Sequence, residues 1–233
     1  MYRGSINKII ILNNIVIKIE CINDLYTKNI VLSLDNNHKK YYDDLKKLKI
    51  DVAKLYYDKK IFGINFQIQE YIKGKTLASL MKDKKVLINK KIYYFKELLF
   101  IYRKTLISDI SIDLNMKNFI IKDDKLIYVD LIPSIYKSKI SNKNVENDEY
   151  KNYYLNTNLA ICNLINYFFR SVIYLSKEEL IDLLNVLKKI VFKTLKIRLD
   201  LSKNKKSNLI YEYLISNMSY KEYEYIYQII KRK

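Results

Sequence analysis

The sequence predicts an α+β protein: a small antiparallel β lobe with one helix, followed by a larger, mainly helical lobe. Three observations predict it. Short β-branched runs dominate the first seventy residues, the apolar period turns helical after Thr76, and one further hairpin signal interrupts the helical part. The chain has 233 residues, enough for one domain or two joined lobes and too few for two independent enzymes. A connector near residue 73 divides it into residues 1–73 and 74–233.

The elements follow in order. Lys8–Leu12 and Ile15–Ile19 are β-branched runs separated by Asn13-Asn14, and Asn tolerates the positive φ that a two-residue hairpin turn requires. A helix is expected from about Asn36 to Lys49. Strand-like runs return at Val52–Tyr57 and Ile64–Ile72. Leu77, Leu80 and Met81 suit a short helix. Ile88, Ile92, Phe95, Leu99, Tyr102 and Leu106, spaced by three and four, mark one face of a long one. Phe119–Ile121 and Leu126–Val129 flank Asp123-Asp124 as a second hairpin. Helical patterns close the chain at 155–169, 178–195 and 209–230.

Composition removes several functions. With 3 Gly and 1 Pro, no glycine-rich P-loop or G-x-G-x-x-G can be written. Cys21 and Cys162 lie far apart, and with 1 His no zinc site or metal cluster can be built from them. His38, among Asn36, Asn37, Lys39 and Lys40, reads as a solvated surface residue. No signal peptide opens the chain, and the uncharged stretch 152–169 carries five Asn, a poor membrane span. A cytoplasmic setting is the expectation. The net charge is +18. Lys, Ile, Asn and Tyr have AT-rich codons, so codon bias is the plainer source of that charge. An anionic partner, whether RNA or a membrane surface, is permitted by it and not demanded.

Chemistry concentrates in Asp113-Leu-Asn-Met-Lys-Asn118. The strand pair beyond it ends on Val129-Asp130, so Asn118 and Asp130 bring hard oxygens from either end of one hairpin. That suits Mg²⁺ carrying bound phosphates, since the ion takes few protein oxygens and completes its octahedron with water and phosphate. Asp113 is then free to accept a hydroxyl proton. Lys18 interrupts an Ile/Val strand. Alone it reads as an edge charge facing solvent; buried, it would need an anionic partner.

Taken together these segments resemble the protein-kinase-like superfamily, in particular its aminoglycoside phosphotransferase and choline kinase-type small-molecule branch. Ile15-Val-Ile-Lys18 resembles the strand bearing the phosphate-binding lysine. Gln67–Leu77 resembles the last small-lobe strand and hinge, Ser111–Asn118 the catalytic loop, and Leu126–Asp130 the strand leading to the metal-binding Asp. The resemblance implies ATP and Mg²⁺ as cofactors, and γ-phosphoryl transfer to a hydroxyl of a small-molecule or glycan-like acceptor. It implies Lys18 on the α/β-phosphates, Asp113 as catalytic base, and Asn118 and Asp130 on the metal. It places Glu70, Tyr71 and Ile72 at adenine, Gly4 and Ser5 in the turn over the phosphates, and Asp44 or Asp43 as the acid facing Lys18. Ser111 stands where the loop His is usual, and Asp130 is followed by Leu131-Ile132-Pro133 without Gly. Those departures leave two alternatives: a pseudokinase-type nucleotide- or partner-binding module, and a basic RNA-associated atypical kinase.

Overall fold

The structure, a computed structural model, describes residues 7–20, 37–61, 64–132, 134–142, 154–172 and 174–197. The helix expected over 209–230 lies outside them. The protein is α+β. It falls into two compact units, one formed by 1–80 with 101–155 and the other by 81–100 with 156–233.

In the first unit, β1 (Asn7–Leu12), β2 (Ile15–Glu20), β3 (Leu55–Ile61) and β4 (Ile64–Glu70) make an antiparallel sheet of order β1-β2-β4-β3. The first turn works as its residues require, with Asn13 at φ 51°. Helix α1 (His38–Lys47) begins where the Asn37 side chain accepts the Lys40 amide N–H at 2.9 Å, satisfying a donor the helix itself cannot. A second sheet joins β5 (Lys75–Thr76), β6 (Phe119–Lys122) and β7 (Lys125–Tyr128). Its hairpin turns on Asp123 and Asp124, both at positive φ, which Asp tolerates better than most residues. Val52, read as part of a strand, instead bridges in parallel to Tyr128, and β3 starts three residues later. Two short helices complete this inventory, α2 (Leu77–Lys82) and α4 (Lys137–Asn142).

The four-stranded sheet buries an unusual face. Asn65, Gln67 and Gln69 of β4 are buried, whereas Ile64 is exposed and Phe66 and Ile68 are half-buried. Cross-strand pairing puts Ile9, Lys18, Gln67 and Asp58 in one row and Ile11, Val16, Gln69 and Leu55 in the next, so these side chains share that face. Gln69 donates to Gln67 at 2.7 Å. The expectation that His38 faces solvent is overturned. It is 1% exposed, and its Nδ1 lies 2.9 Å from Asp58 Oδ1, tying α1 to β3. Its polar sequence neighbours gave no sign of a partner twenty residues away.

Helix α3 runs Ile88–Leu106, as its apolar spacing predicts. Its buried stripe keeps the expected Phe95, Leu99 and Tyr102 and widens to Lys91, Tyr94, Leu98, Ile101 and Thr105, while Ile88, Ile92 and Leu106 are half-buried. In the second unit the Lys91 amine donates to Tyr174 Oη at 3.2 Å and lies 5.2 Å from that ring's centroid, a cation–π partner for a buried charge. There too, α5 (Thr157–Ser171) is capped by Asn156, and α6 (Lys177–Leu195) carries a capping box between Ser176 and Glu179. Phe95 and Phe168 meet edge to face at 5.3 Å. No helix among the described residues is long and apolar enough to cross a membrane.

Cys162 is buried in α5, and burial pushes its thiol up to about 11. Only the thiolate attacks alkylating agents. Peptide mapping after iodoacetamide treatment at pH 8 should find Cys162 unlabelled in the native protein and labelled in guanidinium.

Candidate functional site

Every sequence-predicted site residue that the structure describes lies in the first unit. Lys18 lies in that row on β2, a strand flanked by β1 on one side and β4 on the other. It is 5% exposed, so its amine does not point into bulk solvent. The amine donates to the Val129 carbonyl and lies 3.4 Å from Asp130 Oδ1. A lysine buried beside neutral amides requires such a counter-charge, and Asp130 reaches it because the β6–β7 hairpin ends there.

The base of that hairpin is fixed by its own hydrogen bonds. Asn115 caps a single 3₁₀ turn, Met116–Asn118, by accepting the Lys117 amide at 3.1 Å. Val129 N–H then donates to the Asn118 carbonyl at 2.9 Å, which holds residues 118 and 130 at the two strand ends. The Asn118 Nδ2 is buried and has no hydrogen-bond partner. A side-chain amide buried with one end unpartnered fits a ligand, and turning the amide over presents oxygen instead of nitrogen. No group of three or more His, Cys, Asp or Glu among the described residues could hold a metal ion. Asn118 and Asp130 therefore fit a hard cation that draws its other oxygens from water and phosphate, and not a protein-caged metal.

Asp113 is half-buried, and its Oδ1 accepts the Asn115 amide at 2.9 Å in a local turn. Two fully buried phenols, Tyr41 of α1 and Tyr128 of β7, sense the Asp113 and Asp130 carboxylates together. Burial first, and then these charges, raise both phenols well above the ordinary tyrosine range. Both carboxylates thus act on the same two phenols although they are 17 residues apart in sequence.

The structure distributes the remaining predicted residues differently from one another. Asp44 receives Lys47 Nζ at 2.8 Å and the Tyr136 hydroxyl at 3.2 Å. The Lys47 bond, and secondarily that of Tyr136, hold its carboxyl below the ordinary range. Asp43 is bound by Lys39 at 2.8 Å. The acid beside Lys18 is Asp130, and α1 faces the loop with Tyr41 instead, whose hydroxyl donates to the Ser111 carbonyl at 2.7 Å. At the end of β4, Glu70 N–H donates to Lys54 O and Tyr71 N–H to Asn14 O, each at 2.8 Å. Ile72 is buried beside them at 3% exposure. Gly4 and Ser5 lie outside the described residues. Sequence reasoning missed His38, Tyr41 and Tyr128. Their partners are distant in sequence, and among 23 Tyr nothing local marks two of them.

No protein-family model matches the chain, and no curated protein matches it. Among solved structures it is similar to WbdD, which was co-crystallised with the kinase inhibitor LY294002. The TM-score is 0.51 at 11% identity, over 91% of this chain and 49% of that one. The chain thus spans about half the length of WbdD. At that identity the likeness is one of fold: an α+β chain whose backbone course a protein that binds a kinase inhibitor shares.

Proposed function

We propose that this chain is a kinase-like phosphotransferase, dependent on ATP and Mg²⁺, that moves the γ-phosphoryl group to a hydroxyl of a small-molecule or glycan-like acceptor. The observation that carries the reading is the meeting of Lys18 with Asp130 across 112 residues of sequence, at the end of the hairpin that Asn118 opens. The likeness to a protein that binds a kinase inhibitor supports it. In this reading the small lobe is residues 1–73 and the large lobe 74–233. Lys18 holds the α/β-phosphates, and Asn118 and Asp130 hold the metal, which neutralises phosphate charge when bound. Glu70 to Ile72 border the adenine, with Gly4 and Ser5 over the phosphates. Asp113 accepts the proton of the acceptor hydroxyl as its oxygen bonds to the γ-phosphorus and the bond to ADP breaks.

The charge of +18 disfavours a polycationic acceptor such as an aminoglycoside and favours an anionic one, a phosphorylated sugar for example. The same sign would suit a chain working near RNA or a membrane surface, and the cytoplasm remains the proposed setting.

The test is ATP turnover with and without Mg²⁺, together with the nucleotide affinity of Lys18→Met. Turnover should vanish on chelation. The variant should fold and bind ATP about 10- to 100-fold more weakly, the worth of one or two charge-assisted hydrogen bonds. ATP binding with no turnover on any acceptor would select the pseudokinase-type binding module, and unchanged affinity in the variant would remove Lys18 from the site.

A further inference from the structure

The turn that leads into α3 gathers positive charge around an uncovered leucine. Residues 82–91 read Lys-Asp-Lys-Lys-Val-Leu-Ile-Asn-Lys-Lys, five lysines to one acid. In α1, by contrast, Lys39 and Lys47 are each held by an aspartate of the same helix. Among the described residues, Lys82, Lys84 and Lys85 are exposed and have no carboxylate partner. Codon bias accounts for lysine being common, not for its standing here without acids.

Leu87 lies in the middle of this run and is 78% exposed, whereas Val86 and Ile88 on either side are half-buried. The backbone that presents it is held by its own hydrogen bonds. Asp83 Oδ1 accepts the Lys85 amide N–H at 3.0 Å, and the Asp83 carbonyl accepts that of Val86 at 3.2 Å. The Leu87 carbonyl accepts the Lys90 amide N–H at 3.0 Å as α3 begins. Tyr174, 41% exposed, borders the same turn, with the Lys84 amine 6.0 Å from its ring centroid. All of these residues belong to the second unit.

An exposed leucine by itself is ordinary. Flanked by uncompensated ammonium groups and a partly exposed tyrosine, it has the make-up of a contact with a bilayer surface. Lysine stems lie along apolar surface with their amines among anionic headgroups, tyrosine settles at the same depth, and leucine enters the acyl boundary. A nucleic acid would use the lysines and the tyrosine, but an aliphatic tip gives it neither charge nor a stacking face. Leu87 therefore separates the two anionic partners that the net charge permits.

We propose that residues 82–87 with Tyr174 form a peripheral docking surface for an anionic lipid bilayer, with Leu87 as the inserted tip. The proposal goes beyond the phosphotransfer reading and stands or falls without any turnover.

The experiment uses the full chain and vesicles of about one part phosphatidylserine to three of phosphatidylcholine. Pure phosphatidylcholine vesicles and single-stranded poly(U) RNA are the comparisons. The parent, Leu87→Ser, the double variant Lys84→Gln/Lys85→Gln, and Leu87→Trp are compared by co-sedimentation, after a thermal melt of each. Expected is binding to the anionic vesicles and not to the neutral ones. It should fall about 3- to 10-fold in Leu87→Ser and about 10- to 30-fold in the lysine double variant. The chain has no tryptophan, so the indole of Leu87→Trp reports alone. Its emission should move to shorter wavelength on anionic vesicles and be quenched by brominated acyl chains. If Leu87→Ser does not fold, that indole decides. No binding of the parent to anionic vesicles, or equal binding to neutral ones, overturns the proposal. So does a loss in the lysine variant with none in Leu87→Ser, or an indole that stays in water on bound vesicles. Poly(U) binding that disappears with the same lysines and ignores Leu87 also overturns it, and assigns the surface to RNA.

Discussion

Replacing Asp113 by Asn is expected to lower Mg²⁺-dependent ATP turnover about 10²- to 10⁴-fold, the usual worth of a positioned general base, with unfolding temperature nearly unchanged. The two halves of that expectation have separate causes. Asp113 is half-buried and lies outside the core. Its Oδ1 accepts the Asn115 amide N–H, and an Asn oxygen accepts that bond as well as a carboxylate does. That local turn is therefore kept in the variant. The chemistry is not, because an amide cannot take the proton from an attacking hydroxyl. Measured as turnover per folded molecule with the ATP dissociation constant determined in parallel, a fall confined to turnover supports the base assignment. Equal rates in the two proteins would end it.

Gly74→Ala should have the largest effect on stability. A Cβ at this position would stand 2.2 Å from the Ile121 carbonyl oxygen and 2.8 Å from Ile120 Cγ2. The nearer contact is backbone, so no side chain can turn aside to relieve it. Gly74 lies immediately before β5, whose two residues pair with Ile120 and Ile121 of β6. The methyl group would push β5 off that edge and load the hairpin that carries Asn118 at one end and Asp130 at the other. Overpacking of this kind costs about 1–3 kcal/mol, so unfolding should begin on the order of 5–10 °C lower for a chain of this size. A thermal melt checks it, and a midpoint within a degree of the parent would show that β5 is not held at this separation.

Local chemistry made most of the fold legible. Asn13 and Asp123-Asp124 marked both hairpin turns because positive φ selects those residues, and the three-and-four spacing gave the limits of α3. What escaped was decided over long range. Nothing near residue 38 announces that it is covered, since its partner Asp58 arrives on β3 from twenty residues away. The alternation Ile64-Asn-Phe-Gln-Ile-Gln69 invites burial of its apolar members, yet the amides are the covered ones, because that face carries Lys18 and meets α1. The buried stripe of α3 also takes in Lys91, which finds an aromatic face at Tyr174, a residue that no helical period connects to it. For the site, sequence singles out Lys18, Asp113, Asn118 and Asp130, of which Lys18 and Asp130 meet in the structure, whereas the acid it expects beside Lys18 lies on α1. Asp44 and Asp43 have lysines one turn away on the same helix and remain with them. Tyr41, whose hydroxyl donates to the Ser111 carbonyl, could not be singled out by type or spacing.

If the proposed phosphotransfer reading holds, the contact between Lys18 and Asp130 also bears on how a nucleotide would arrive. The residue proposed for phosphate and one of the two proposed for the cation compensate each other. A naked triphosphate would have to pull the ammonium away and leave a carboxylate stranded beside its own anionic oxygens. The magnesium complex delivers both signs together, and entry becomes an exchange of counter-ions in which each group trades one partner for another. Selectivity for the chelated form over the free polyanion would then be inherent in that ion pair.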